Sequence, residues 1–175
     1  EKGFLEYLQY IDEKSYFLDL LKPYLVIPPY FFLDASDTQF NNWLSINIDF
    51  INIAKEKYPA EKVYGQLVIS QNVLLNEKLL NKICSTYIKS KPVGILLWID
   101  NFDEHEVTTD LLTSYCNLVN CLHLNNIKVY NLYGGFFSTI LTGFKDELGY
   151  ELDGVGHSLE YGESRSVVPV GGGIP

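Results

Sequence analysis

A chain of 175 residues, 47% hydrophobic and 20% charged, has the size and composition of one globular domain and is too apolar for a disordered segment. A formal charge of −9 repels phosphate backbones, so nucleic acid is not favoured as a partner. No run of about 18 apolar residues offers a membrane span.

The chain has no methionine, begins without the basic and apolar regions of a secretory signal, and ends inside a glycine-rich stretch. These features suggest that residues 1–175 are a single α/β domain cut from a longer chain. Cys84, Cys116 and Cys121 lack the close spacing of a zinc site. Cys84 and Cys116 fall on apolar helix faces, where they read as small buried hydrophobes of a reducing cytoplasm.

In chain order, an amphipathic helix over Phe4 to Leu21 precedes a proline-broken extended run, Tyr24 to Leu33. A helix follows over Trp43 to Lys57, with Trp43, Ile46, Phe50, Ile53 and Ala54 on one side. Val63 to Ile69 is a strand. Asn76 caps a helix that runs to Ser90, with Leu79, Leu80, Ile83, Cys84 and Tyr87 as its stripe. Val93 to Ile99 is nearly all apolar, as a strand covered on both faces would be, and is expected to be the most buried.

Thr108 or Thr109 caps the next helix, which carries Leu111, Leu112, Tyr115, Leu118, Val119 and Leu122. Lys128 to Tyr133 is a strand. Gly134 and Gly135 then turn into a helix from Phe136 to Leu148, and Leu152 to His157 is a last strand. Val167 to Val170 contains a proline, which suits a loop or an edge.

Repeated βα units predict an α/β fold with a parallel sheet. Two architectures fit. One is a partial (β/α) barrel with about five of its eight units. The other is a doubly wound open sheet. A partial barrel needs further strands, from missing sequence or from a protein partner, because an open edge leaves strand groups unpaired.

Both architectures place ligands at the carboxyl ends of the strands. Those ends carry Asp34 to Asp37, then Gln66, Ser70 and Gln71, then Asp100 to His105, then Asn131, Tyr133, Gly134 and Gly135. His157, Glu160, Glu163 and Arg165 follow the last strand. The opposite ends are plainer, preceded by Lys22-Pro23, Glu61-Lys62 and Lys91-Pro92. The asymmetry predicts an active-site face that takes a polar small-molecule ligand.

Asp100, His157 and Glu163 are the candidate catalytic groups. Asp100 closes an apolar run, where partial desolvation suits a proton carrier or nucleophile. His157 ends a strand and suits a general base. Asp34, Gln66, Tyr133, Gly134, Glu160 and Arg165 are candidate substrate contacts. Arg165 pairs with an acid or holds a substrate anion. Gly171, Gly172 and Gly173 offer backbone N–H groups to a phosphate, although a linker has the same composition. Asp103, Glu104 and His105 form either a metal group with Asp100 or a solvated acidic loop, and the loop is preferred, so no metal is assigned. No motif identifies a cofactor.

Leu132-Tyr-Gly-Gly-Phe-Phe-Ser138, followed by Leu152-Asp-Gly-Val-Gly-His-Ser-Leu-Glu-Tyr-Gly-Glu-Ser-Arg165, resembles a motif pair of uncharacterised bacterial (β/α)-barrel proteins. It also resembles, distantly, the late strands of tRNA-guanine transglycosylase-type barrels. That resemblance covers the last 45 or so residues. It implies a transferase or hydrolase acting at an N-glycosidic bond of a nucleotide- or sugar-related ligand, with Asp100 as the carboxylate nucleophile. The acidic balance and the lack of a Cys/His zinc cluster depart from that family. The alternative is a non-catalytic barrel subunit of a multi-protein assembly, such as an antiphage defence complex, whose acidic surface meets a basic partner.

Overall fold

The structure, a computed structural model, describes Gly3, Glu6 and residues 24–143, 151–156 and 166–167. Four parallel strands form one sheet: β1 (Tyr64–Ile69), β2 (Gly94–Ile99), β3 (Lys128–Asn131) and β4 (Gly154–Val155). They lie side by side in chain order, so the described strands contain no reversal of order. The helices between them are α1 (Phe40–Lys57), α2 (Gln71–Leu74), α3 (Glu77–Ser90), α4 (Thr109–His123) and α5 (Phe136–Gly143). The expected α/β fold with a parallel sheet is therefore present. None of the described helices is long and apolar enough to cross a membrane.

The local reasons for these elements are visible. Asn76 accepts from the Leu79 N–H at 3.2 Å and caps α3 as its sequence predicts. Left-handed Lys91 (φ 48°) and Pro92 end that helix. Thr108 caps α4 through the Leu111 N–H. The stripe of α4 is buried at Leu111, Tyr115, Leu118, Val119 and Leu122.

Four expectations are corrected or refined. The run 24–33 is broken at its prolines as expected, and it is not a full strand of the sheet. Only Val26 and Leu33 bridge to Val63 and Ile69, in parallel sense. Pro28 and Pro29 lack the N–H groups a ladder needs. Buried Asn47 takes over the backbone of Phe31 instead, accepting its N–H at 2.7 Å and donating to its carbonyl at 2.9 Å.

Second, α1 begins at Phe40, and its buried face is Phe40, Leu44, Asn47, Ile51 and Ala54. Trp43 and Phe50 sit to one side, where Phe31 stacks on Trp43 at 4.5 Å. Third, α2 follows β1 at once, in a place read as loop. Fourth, β1 is more buried than β2. Gln66 alone in β1 is half-exposed, whereas Leu96 and Trp98 both are in β2. Strand β1 is flanked on both sides, by β2 and by the 24–33 segment.

The sheet has two unlike faces. Gly65 points at Ile51 of α1 and Tyr87 of α3, and Asn131 bonds to side chains of α4 and α5. Odd-numbered residues of β1, β2 and β3 therefore face the helices, and the core of Leu67, Ile69, Ile95, Leu97 and Val129 lies there. The second face carries Tyr64, Gln66 and Val68, then Gly94, Leu96 and Trp98, then Tyr130 and Gly154. At the amino ends of the strands this face is closed by tyrosine rings laid over glycines. A Cβ on Gly94 would stand 2.5 Å from the Tyr64 ring, and one on Gly154 2.9 Å from the Tyr130 ring. The two rings meet at 6.0 Å.

Candidate functional site

The carboxyl ends of the strands collect one row of polar residues. Leu33 is in register with Ile69, and Ile69 with Ile99. The next residues, Asp34, Ser70 and Asp100, are therefore neighbours across three parallel segments. The ladder reaches this row: the Ser70 N–H donates to the Leu33 carbonyl at 3.1 Å, and the Asp100 N–H to the Ile69 carbonyl at 2.8 Å. One row deeper, Val68 and Trp98 are in register, and Trp98 meets Tyr133 at 5.0 Å. Gln66, Leu96 and Tyr130 form the row below that.

Asp34 Oδ1 accepts the Ser36 hydroxyl at 2.5 Å and the Ser36 N–H at 2.7 Å. The Ser36 hydroxyl, then the Ser36 N–H, hold the Asp34 carboxyl below the usual carboxylate range, against a small desolvation penalty. Ser70 adds the smallest contribution in the same direction, although among the described residues its buried Oγ has no partner in good hydrogen-bond geometry. The residue is 6% exposed. Gln66 is half-buried.

Asp100 is half-buried and partly committed to the chain itself. Its Oδ1 accepts the Val167 N–H at 2.6 Å, and Oδ2 has only a long 3.4 Å contact with Asn101. Asn101 is left-handed (φ 51°), a conformation asparagine tolerates, and turns the chain away from the rim. The Gln71 amide holds that turn by donating to the Asn101 carbonyl at 2.7 Å.

The acidic loop is not one cluster. Asp103 accepts the His105 N–H and closes its own turn. Glu104 turns inward and is buried. It accepts the Ser138 N–H at 3.0 Å and the Ser138 hydroxyl at its other oxygen. Tyr115 donates to Ser138 Oγ at 2.7 Å, and Asn131 Nδ2 donates to both hydroxyls, at 3.1 and 2.9 Å. Burial pushes the Tyr115 phenol above its ordinary range. Among the described residues no three His, Cys, Asp or Glu side chains are placed to share a metal ion.

Tyr133 and Gly134 stand at the same rim, after β3. A Cβ on Gly134 would lie 2.4 Å from Val155 Cγ2 and 2.7 Å from Ser138 Cβ, so Gly134 lets β4 and α5 close on the strand end. His157, Glu160, Glu163, Arg165 and Gly171 to Gly173 lie outside the described residues, as do residues 168–170 and, apart from Glu6, the helix over Phe4 to Leu21. The sequence named Ser70 at its strand end without giving it a role, and it did not foresee the Glu104–Ser138 network. The register of the strands is what reveals Ser70. Cys84 and Cys116 are buried, Cys121 is half-exposed, and all three are free thiols. Burial, and then Cys121 beside it, push the Cys84 thiol up. Comparison with protein families, with curated proteins and with solved structures finds no match.

Proposed function

We propose that this chain is part of a (β/α)-barrel-type enzyme that acts on a nucleotide- or sugar-related ligand at the carboxyl rim of its sheet. The observation that carries the reading is the row Asp34, Ser70 and Asp100, in which hydrogen-bonding capacity is left unused beside a carboxylate. Strands in chain order support the barrel over the doubly wound sheet, whose order reverses at a switch point. An acidic chain suits a small ligand better than a nucleic acid.

In this reading the reaction is exchange or cleavage at an N-glycosidic bond. Such chemistry asks for a carboxylate beside the anomeric carbon, to attack it or to activate water. Asp100 is the candidate, with Asp34 and Ser70 holding the sugar. His157 and Glu163 are further proton carriers in the same proposal, and Arg165 and Glu160 further substrate contacts. The Val167 N–H on Asp100 favours the rival reading, a non-catalytic barrel subunit in which Asp100 only anchors the chain.

Asp100→Asn separates the two, because asparagine keeps an acceptor for Val167 and loses the carboxylate. The full chain is incubated with a panel of nucleosides, nucleotides and glycosides, and free base and reducing sugar are assayed. The enzyme reading expects turnover that falls by at least about 100-fold in Asp100→Asn with unfolding unchanged. Turnover that survives the substitution removes Asp100 from the chemistry. No turnover with any of the panel supports the subunit reading.

A further inference from the structure

Two of the three thiols of this chain are neighbours on different helices. Cys84 lies on the buried stripe of α3 with Leu80, Ile83 and Tyr87. Cys121 lies on α4, one turn after buried Leu118 and beside buried Leu122. Both helices cover the odd-numbered face of the sheet, α3 after β1 and α4 after β2, and they pack against each other. Cys84 belongs to the core there, and half-exposed Cys121 packs against that core. The Cys121 thiol stands beside the Cys84 thiol, close enough that its hydrogen bonding and its charge both bear on Cys84.

Cys116, five residues earlier on α4, is the internal contrast. It is buried as well, and burial alone pushes its thiol up, with no second thiol beside it. A single buried cysteine is a small hydrophobe. Two thiols that meet from separate helices are a dithiol, which has a reaction that a lone buried thiol lacks.

Helix geometry permits a bond between them. A disulfide needs Cα atoms about 4.4–6.8 Å apart. Packed helices have axes about 8–10 Å apart and carry their Cα atoms about 2.3 Å from the axis, so facing positions fall in that range. The two cysteines are far apart in sequence, and a bond between them removes much freedom from the unfolded chain. In a reducing compartment the pair rests as thiols.

We propose that Cys84 and Cys121 are a redox-responsive pair that forms a disulfide between α3 and α4 when hydrogen peroxide is present. Half-exposed Cys121 is the sulfur that peroxide reaches first. Its thiolate attacks one peroxide oxygen and the O–O bond breaks. Cys121 becomes a sulfenic acid, and the departing hydroxide leaves with the thiol proton as one water. The Cys84 sulfur then attacks the Cys121 sulfur. The S–S bond forms, the S–O bond breaks, and the hydroxyl leaves with the Cys84 proton as a second water. The two thiols lose two electrons, and the peroxide gains them. This pair is independent of what the carboxyl rim binds.

The test treats the full, folded, reduced chain with a small excess of hydrogen peroxide, blocks the remaining thiols with iodoacetamide and maps the peptides by mass spectrometry. The expected product is one Cys84–Cys121 cross-link within the chain, lighter by two hydrogens and reversed by dithiothreitol, with Cys116 still a thiol. The oxidised chain unfolds about 5–10 °C above the reduced one. Cys121→Ser leaves Cys84 unoxidised, Cys84→Ala leaves Cys121 as a sulfenic or sulfinic acid, and both variants lose the shift. Cys116→Ala keeps the bond and the shift. Three wild-type results overturn the pair: no oxidation of either thiol, Cys121 oxidised or joined to a second copy with Cys84 untouched, or a bond to Cys116. A Cys84–Cys121 bond that forms only in urea, or that lowers the unfolding temperature, also overturns it, because the native fold then holds the two sulfurs apart.

Discussion

Two polar clusters lie against the same sheet, one on each face, and they treat their hydroxyls differently. On the helix side, Glu104, Tyr115, Asn131 and Ser138 use every hydroxyl and amide hydrogen they have. On the other side, Asp34 and Ser70 are neighbours in register, and among the described residues Ser70 Oγ has no partner in good hydrogen-bond geometry. Both clusters are built from short-range geometry at strand ends. The closed one joins the loop after β2 to the start of α5, where a carboxyl group also suits the positive end of the helix dipole. The open one joins nothing, and it stands where parallel sheets receive ligands. Satisfaction, more than burial or polarity, separates a structural cluster from a candidate site in this chain.

The largest effect should come from breaking the closed cluster. Glu104→Ala leaves the Ser138 N–H and hydroxyl without acceptors in a buried place, and should cost about 3 kcal/mol in urea unfolding. A loss under about 1 kcal/mol would mean that the network is not a structural latch. Gly134→Ala tests the same junction by sterics, since its new methyl group meets Val155 and Ser138 at 2.4 and 2.7 Å. A cost of about 2 kcal/mol is expected from overpacking, read from the same unfolding curves.

A smaller effect belongs to the open cluster and varies with pH. The folded-state pKa of Asp34 is depressed by Ser36. Its contribution is thus fully present above the unfolded value of about 3.9 and is lost as pH falls through the lower folded value. Asp34→Asn should flatten the acid side of the stability profile below about pH 4 and lower stability slightly at neutral pH, so that variant and wild type converge in acid. Identical stability of the two at every pH would mean that Ser36 does not stabilise the ionised carboxylate.

Much of the fold could be read from the sequence because its signals are local. The caps Asn76 and Thr108, the stripes of α3 and α4, and the apolar run of β2 all act within one element. What could not be read depends on distant partners. The departure of residues 27–32 from the sheet is held by Asn47, sixteen positions away from Phe31. The four residues of α2 are too few to show a period.

The candidate site divides in the same way. Asp34 and Asp100 were visible as acids at strand ends. Ser70, a common residue in a common place, gains meaning only when register sets it between them. Glu104 looked like one more acid of a solvated loop, and only Ser138, thirty-four positions on, draws it inside.

The most direct measurement removes one hydroxyl from each cluster and compares the two in urea. Tyr115→Phe takes a hydroxyl from the closed network, and Ser70→Ala takes one that has no partner. The account predicts that Tyr115→Phe loses about 1 kcal/mol of unfolding free energy while Ser70→Ala loses none or gains a little. If Ser70→Ala destabilises the chain as much as Tyr115→Phe does, Ser70 is satisfied within the fold and the rim is no more a site than the network behind it.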